Sequence, residues 1–443
     1  MPSPESHSPD TGRPEKKSAC TVSAEVQDRF KKILVIPSVL QGLAFLKADQ
    51  KRRIAEQIAI TEIPAPPFEE SIRAEDFLRR LTELGLTDAH MDREGNAIGT
   101  SKGTAGGPRI VVSAHLDTVF SQGYDATVRV DENGILHAPG IADDGAGLAA
   151  LLGIVRAFRE SGIRTAGDVL FVGTVGEEGR GDLRGVKHLF EAIPDIDGFI
   201  SIDGEGASSI TYLALGSKRF EFRFTGTGGH SYEAFGRVGS PIHAMGRAIG
   251  KIADLRVPGN PRTTFTVSVV SGGTSVNSIA AEAVMQTDTR STCPEQLDRT
   301  VSELVNCAKA AVVEENAFWK IAWDSPDNIR LEIRKIGDRP SGTCSAEAIH
   351  VQSACAATEA IGETPRLKEP GSTDSSIPIS LGVPALTLGR GGKGLHIHSP
   401  KESFDPTGSD LASRRIFLTI LGLAGIAGEI EPLLKKEILT QRR

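Results

Sequence analysis

Four short apolar runs, residues 109–114, 168–175, 198–202 and 384–388, alternate along the chain with segments of helical periodicity. Runs that are apolar at consecutive positions, not at every second one, suit strands covered on both faces. Strands alternating with helices predict an α/β domain with a mostly parallel sheet. Residues 145–158 carry the Ala/Leu/Ile pattern of a buried helix. Residues 26–83 are helical in spacing except at Ile63-Pro64-Ala65-Pro66-Pro67, which must be a loop. The middle of the chain reads differently. Ser217-Lys-Arg-Phe-Glu-Phe-Arg-Phe-Thr alternates polar with apolar, as a strand with one solvated face does. A helix over 241–252, strands over 264–270 and 283–289, a helix over 294–313 and a strand over 329–336 follow. The order βαββαβ predicts a four-stranded sheet with two helices on one face. At 443 residues the chain exceeds what one core usually serves. We therefore expect a flexible tail (1–24), a first domain in two parts (25–214 and 339–443), and an inserted α+β domain (215–338).

Composition removes several classes of function. The chain is 39% apolar, too much for a disordered polymer. Its 50 basic residues are outnumbered by 57 acidic ones, for a net charge of -7, which argues against a nucleic-acid partner. No apolar stretch approaches the roughly 20 residues of a membrane helix, and the N-terminus lacks the apolar region of a secretion signal. Five cysteines, an odd number with no CxxC pair, suit a reducing compartment. Cytoplasm is the expected location.

Acid–base and metal-type side chains collect where the predicted strands end, which is where open α/β sheets place ligands. The first strand runs into His115-Leu-Asp117. The loop before the first buried helix holds Asp143-Asp144. The second strand leads to Glu177-Glu178-Gly179, the third to Asp203-Gly204, and the fourth through Gly389-Arg-Gly-Gly to His396-Ile-His398-Ser-Pro-Lys-Glu402. Singly these are weak signals: Asp143 or Asp144 before a helix serves equally as an N-cap. Together, carboxylates crowded at buried strand ends repel one another and lose hydration, and cations offset both costs. The glycines at 389–394 lack the GxxxxGK[ST] spacing of a phosphate loop.

In this order, His115-Leu-Asp117, Ala142-Asp143-Asp144, Glu177-Glu178-Gly179, Asp203-Gly204 and His398-Ser-Pro-Lys-Glu402 resemble the dizinc metallopeptidase family. That family includes peptidase T, glutamate carboxypeptidase, aminoacylase and succinyl-diaminopimelate desuccinylase, and Asp203 leans toward the peptidase T-like branch. The resemblance spans nearly the whole chain after the tail. It implies two divalent ions, zinc by ligand type with cobalt or manganese as substitutes, held by His115, Asp143, Glu178, Asp203 and His398 with Asp143 bridging. Asp117 would orient His115, Glu177 would be the general base, and the Asp143–Asp144 peptide would be cis. The resemblance further implies a lid and dimerisation role for the inserted domain. His230, in Gly228-Gly229-His230-Ser231, would reach a partner subunit's site. Asn277, Arg290, Thr373 and Gly391 would contact substrate. The activity implied is exopeptidase hydrolysis of a small peptide, aminopeptidase-like, by water activated between the ions. An N-acyl-amino-acid deacylase on the same site and a non-catalytic peptide-binding relative are the competing readings. The family usually has Lys where Gly145 follows Asp144, and Gly-Arg-Gly where this chain has Ala138-Pro139-Gly140. Both departures alter the pocket wall.

Overall fold

A computed structural model describes residues 20–436, with the exception of residues 105 and 323. The four apolar runs form the centre of an eight-stranded sheet, neighbouring one another in the order Val169–Thr174, Ile110–His115, Gly198–Ile202, Ala385–Leu388, all parallel. Antiparallel pairing is confined to the margins, where Ala97–Ser101 joins Val169–Thr174 and Ser209–Thr211 joins Ala385–Leu388. Successive residues of a strand point to opposite faces, and both faces are covered. Val112, Phe171, Ile200 and Leu386 pack with Leu148, Leu151 and Leu152 of the Gly145–Ser161 helix and with Ile416, Phe417 and Ile420 of the Ser409–Ala424 helix. Their neighbours Val111, Leu170, Phe199 and Ala385 face Leu183, Val186 and Leu189 on the other side. This double burial is why the runs lack alternation. Gly162, at φ 66°, ends the Gly145–Ser161 helix in a left-handed conformation that a side chain would disfavour.

The middle of the chain forms a separate antiparallel sheet in the order Thr263–Gly272, Glu282–Ser291, Gly216–Thr225, Arg330–Arg339. Helices Pro241–Ala253 and Pro294–Phe318 cover one face, where Phe222, Phe224 and Met285 meet Ala244, Ala248, Leu304 and Ala308. A third sheet, of four short strands, was not anticipated. It joins Lys393–Leu395, Ser403–Asp405, Leu136–His137 and Arg129–Val130, each too short to carry a pattern. His398 lies in the connection between its first two strands.

Two expectations need correction. Cys20 and Cys355 form a disulfide across 335 positions of sequence. This closes a pair that the odd count and absent CxxC did not foretell, and removes the basis for assigning a reducing compartment. Cysteine spacing is blind to partners brought together by the fold. The proposed tail falls mostly outside the described residues, but its last part is held: beyond the disulfide, the Ser23 amide donates to Gln352 Oε1 at 2.7 Å, and a helix starts at Ala24. Among the described residues no helix is long and apolar enough to cross a membrane.

Candidate metal centre

The strand ends converge on Asp143. Its carboxylate has one oxygen toward each of two histidines: Oδ1 lies 3.1 Å from His115 Nε2, and Oδ2 lies 3.1 Å from His398 Nε2. His398 Nε2 is also 2.8 Å from Glu178 Oε1. Candidate ligand atoms of His115, Asp143 and Asp203 lie within 4.8 Å of one another, as do those of Asp143, Glu178 and His398. The two groups share Asp143. Two imidazoles and three carboxylates, buried or half-buried except for the exposed His398, are donors that suit zinc-like divalent cations, and the shared aspartate suits a pair of them. The Asp143–Asp144 peptide bond is cis.

Neighbouring residues hold this arrangement. His115 Nδ1 sits 2.9 Å from the main-chain oxygen of Asp117 and 3.6 Å from its carboxylate. The Asp117 carboxylate mainly serves elsewhere, accepting the amides of Glu177 at 3.0 Å and Glu178 at 2.8 Å. It thereby sets the turn that presents both glutamates. Asp144 takes the N-cap role of the Gly145–Ser161 helix, accepting the amides of Gly147 and of His115, each at 3.2 Å. Glu402 is buried and its Oε1 accepts the amides of Ala142 at 2.9 Å and Asp143 at 3.0 Å. Asp374, in the Gly371-Ser-Thr373-Asp374 loop, accepts from Thr174 Oγ1 at 2.5 Å beneath the site, and burial raises its pKa to about 6.

Burial and crowding split the carboxylates electrostatically. Burial, with the Glu178 carboxylate next to it, pushes Glu177 well above the usual carboxylate range. Burial and then Asp143 raise Asp203. Burial works against ionised Asp143 as well, but the Arg390 guanidinium, His115 and His398 outweigh it and hold its pKa well below normal. His398 is raised to about 10 by its contacts with Asp143 and Glu178. Glu177 lies outside the two groups that share Asp143, although its carboxylate and that of Glu178 form a third close group with His115, and it faces Arg339, whose Nη1 lies 3.5 Å from Glu177 Oε1 and whose Nη2 donates to the Glu177 carbonyl.

A cavity of about 380 Å³ opens on the cluster, lined by Asp143, Glu177, Glu178, Asp203 and His398 together with Arg219, Arg290, Arg339 and Thr373. Of the expected substrate contacts, Arg290 and Thr373 reach this cavity. Gly391 does not line it: it is packed against the start of the Ser409–Ala424 helix, where a Cβ would come within 2.8 Å of Ala412 Cβ and of the Ser409 carbonyl. A glycine is needed there for that close approach, and the residue of its loop that reaches the centre is Arg390. His230 and Asn277 are exposed and adjoin each other, the Ser231 amide donating to Asn277 O at 3.0 Å, and neither lines the cavity. Sequence reading passed over Glu402 and Arg390, although both lie inside quoted motifs. Arg339 carried no signal at all, standing one position past the drawn border of the inserted domain.

A mostly parallel sheet whose strand ends gather two His–carboxylate groups around one shared aspartate defines a dinuclear metallohydrolase. The chain belongs to peptidase family M20/M25/M40, whose model matches residues 111–419, more than half its length. It is 25% identical over 366 residues to the uncharacterized protein YqjE of Bacillus subtilis, covering 80% of this chain and 94% of that one. The fold is similar to that of the aminopeptidase PepT of Bacillus cereus, with TM-score 0.66 and 22% identity over 84% of this chain and 98% of the other. It is also similar to YXEP of Bacillus subtilis, a dinuclear metal-binding peptidase of the M20 family, with TM-score 0.61 and 19% identity over 85% and 99%. The chain is accordingly a metal-binding hydrolase of the peptidase and amidohydrolase type.

Proposed function

We propose that the protein is a metal-dependent exopeptidase that hydrolyses the amide bond of a small peptide, with His115, Asp143, Glu178, Asp203 and His398 holding two ions and Glu177 acting as general base. One observation carries this reading: the two oxygens of Asp143 face the two histidines, while the adjacent Glu177 stays outside both groups that share Asp143. Two ions bound there supply Lewis-acid polarisation of a carbonyl and acidify bound water. The chain supplies the rest. A buried carboxylate with a raised pKa accepts a proton readily and gives it up to a leaving nitrogen, which is what Glu177 must do in sequence. Arg290, which also lines the cavity, offers a guanidinium for a carboxylate of the substrate. The Bacillus cereus fold relative is an aminopeptidase, which supports the peptide substrate.

Chelation tests the reading. Treatment with a strong chelator is expected to abolish release of free amine from a panel of dipeptides, tripeptides and acetylated amino acids, and zinc or cobalt to restore it. Turnover that survives complete removal of metal would overturn the proposal. Cleavage confined to the acetylated amino acids would replace the peptidase by a deacylase.

A further inference from the structure

The two halves of the centre are not equivalent, and the difference is a buried arginine. Arg390 Nη1 donates to Asp143 Oδ1 at 3.2 Å and to Asp203 Oδ1 at 3.1 Å, with Asp144 Oδ1 at 3.5 Å. Asp143 and Asp203 are the two carboxylates of the His115–Asp143–Asp203 group. In the other half, where Asp143 Oδ2 and Glu178 Oε1 face His398, no arginine among the described residues bonds those oxygens. We propose that Arg390 is a fixed counter-charge built into one half of the centre, so that the two ions bind unequally and the one held by His115 and Asp203 is the weaker. This rests on the dinuclear reading above.

The physical argument is competition for the same oxygens. A guanidinium keeps its proton throughout the working pH range, so its charge cannot be removed to make room for a cation. Nor can it retreat easily. The side chain is 4% exposed, the Arg390 amide donates to Gly204 O at 3.2 Å, and the Gly391 amide donates to Gly206 O at 3.1 Å. The preceding residue is pressed equally hard, since a Cβ on Gly389 would stand 2.3 Å from the carbonyls of Glu205 and Gly206. The loop is thus riveted to the turn that follows Asp203. An ion entering beside Asp203 must share its ligands with this cation or push it aside, and either costs affinity. The same contact has a use when no ion is present, because it neutralises carboxylates that would otherwise repel one another.

The test measures metal, not turnover. Zinc-loaded protein is titrated with a chromogenic chelator and the zinc leaving each chain is counted. The wild type is expected to release two ions in two resolved steps. A single affinity class overturns the proposal. Arg390→Gln is expected to tighten the weaker step at least about tenfold, a modest part of what a unit charge a few ångströms away exerts, and to leave the tighter step within about threefold. Unchanged or weakened binding of the second ion overturns it. Arg390→Lys keeps the charge and should keep the wild-type ratio; if it behaves as the glutamine variant does, charge is not the cause. Should the glutamine variant not fold, the wild-type steps and the lysine variant decide. Failure of the dinuclear reading looks different, since the wild type would then take up no stoichiometric zinc at all.

Discussion

Glu177 and Glu178 are neighbours in sequence with the same functional group, yet their surroundings separate them. Glu178 reaches His398, while Glu177 turns toward Arg339. The Asp117 carboxylate, by accepting both their amides, holds the two in that divergent pose. Glu177→Gln removes the proton acceptor and leaves His115, Asp143, Glu178, Asp203 and His398 in place. We expect turnover to fall by roughly 10²–10⁴-fold, the usual worth of a positioned acid–base group, while elemental analysis still finds two ions per chain. Loss of metal in that variant would reassign Glu177 as a ligand. Glu402 makes the complementary case. It touches no candidate ligand side chain, but holds the amides of Ala142 and Asp143. Glu402→Ala is expected to lower metal affinity by about 10–100-fold, as loss of a supporting partner typically does. Glu402→Gln, which keeps an accepting oxygen, should recover much of it. Equal affinities in wild type and alanine variant, read by chelator competition, would reduce Glu402 to a packing role.

At the scale of elements, the Ile349–Ala360 helix carries a buried histidine apart from the chemistry. His350 is 5% exposed with Cys344 Sγ 3.3 Å from its Nε2, and burial alone lowers its pKa to about 4. In the unfolded chain it titrates near 6.5, so between pH 6.5 and 4 the unfolded state binds the extra proton. Stability from this group is therefore complete above pH 6.5 and is lost as pH falls toward 4. The loss is about 3 kcal/mol at most, since each pKa unit is worth about 1.4 kcal/mol. His350→Gln should flatten that acid limb in denaturant melts taken across the window; an unchanged slope would show that other groups govern it. A second feature at this scale is the seam between the two sheets. Arg219, on the Gly216–Thr225 strand, bonds Asp288 at 3.0 Å and donates to the carbonyl of Gly179, the residue after Glu178. With Arg339 at Glu177, the inserted sheet grips the loop that bears both glutamates.

For the whole molecule, the inserted sheet leaves the Thr263–Gly272 strand at its edge, with Val269 and Val270 about half exposed. His230 and Asn277 also face solvent, away from the cavity of their own chain. We propose a dimer in which each subunit supplies His230 to the other, as the family resemblance implies. Complementation checks it. His230→Ala and Glu177→Gln are each expected to be nearly inactive, and mixing them under exchange conditions should restore activity, because a mixed dimer holds one complete site. A mixture no more active than its parts would place His230 outside the chemistry or within its own chain.

The local order of the strands, the two-sided burial of the central sheet and the acidic ends of its strands were legible because each depends on a handful of consecutive residues. His115, Asp143, Glu178, Asp203 and His398 were named as a group through the family resemblance, and the fold brings their side chains near one another. What sequence could not express was which atoms meet. Asp117 serves two amides more than one imidazole, Gly391 packs against a helix instead of a substrate, and Cys20 finds a partner 335 positions away. Arg339 and Arg390 come to the centre from an inserted domain's last strand and from a loop after the fourth. Such pairings follow from how separate elements are stacked, and distance along a chain carries no information about the angle at which two of its surfaces are brought together.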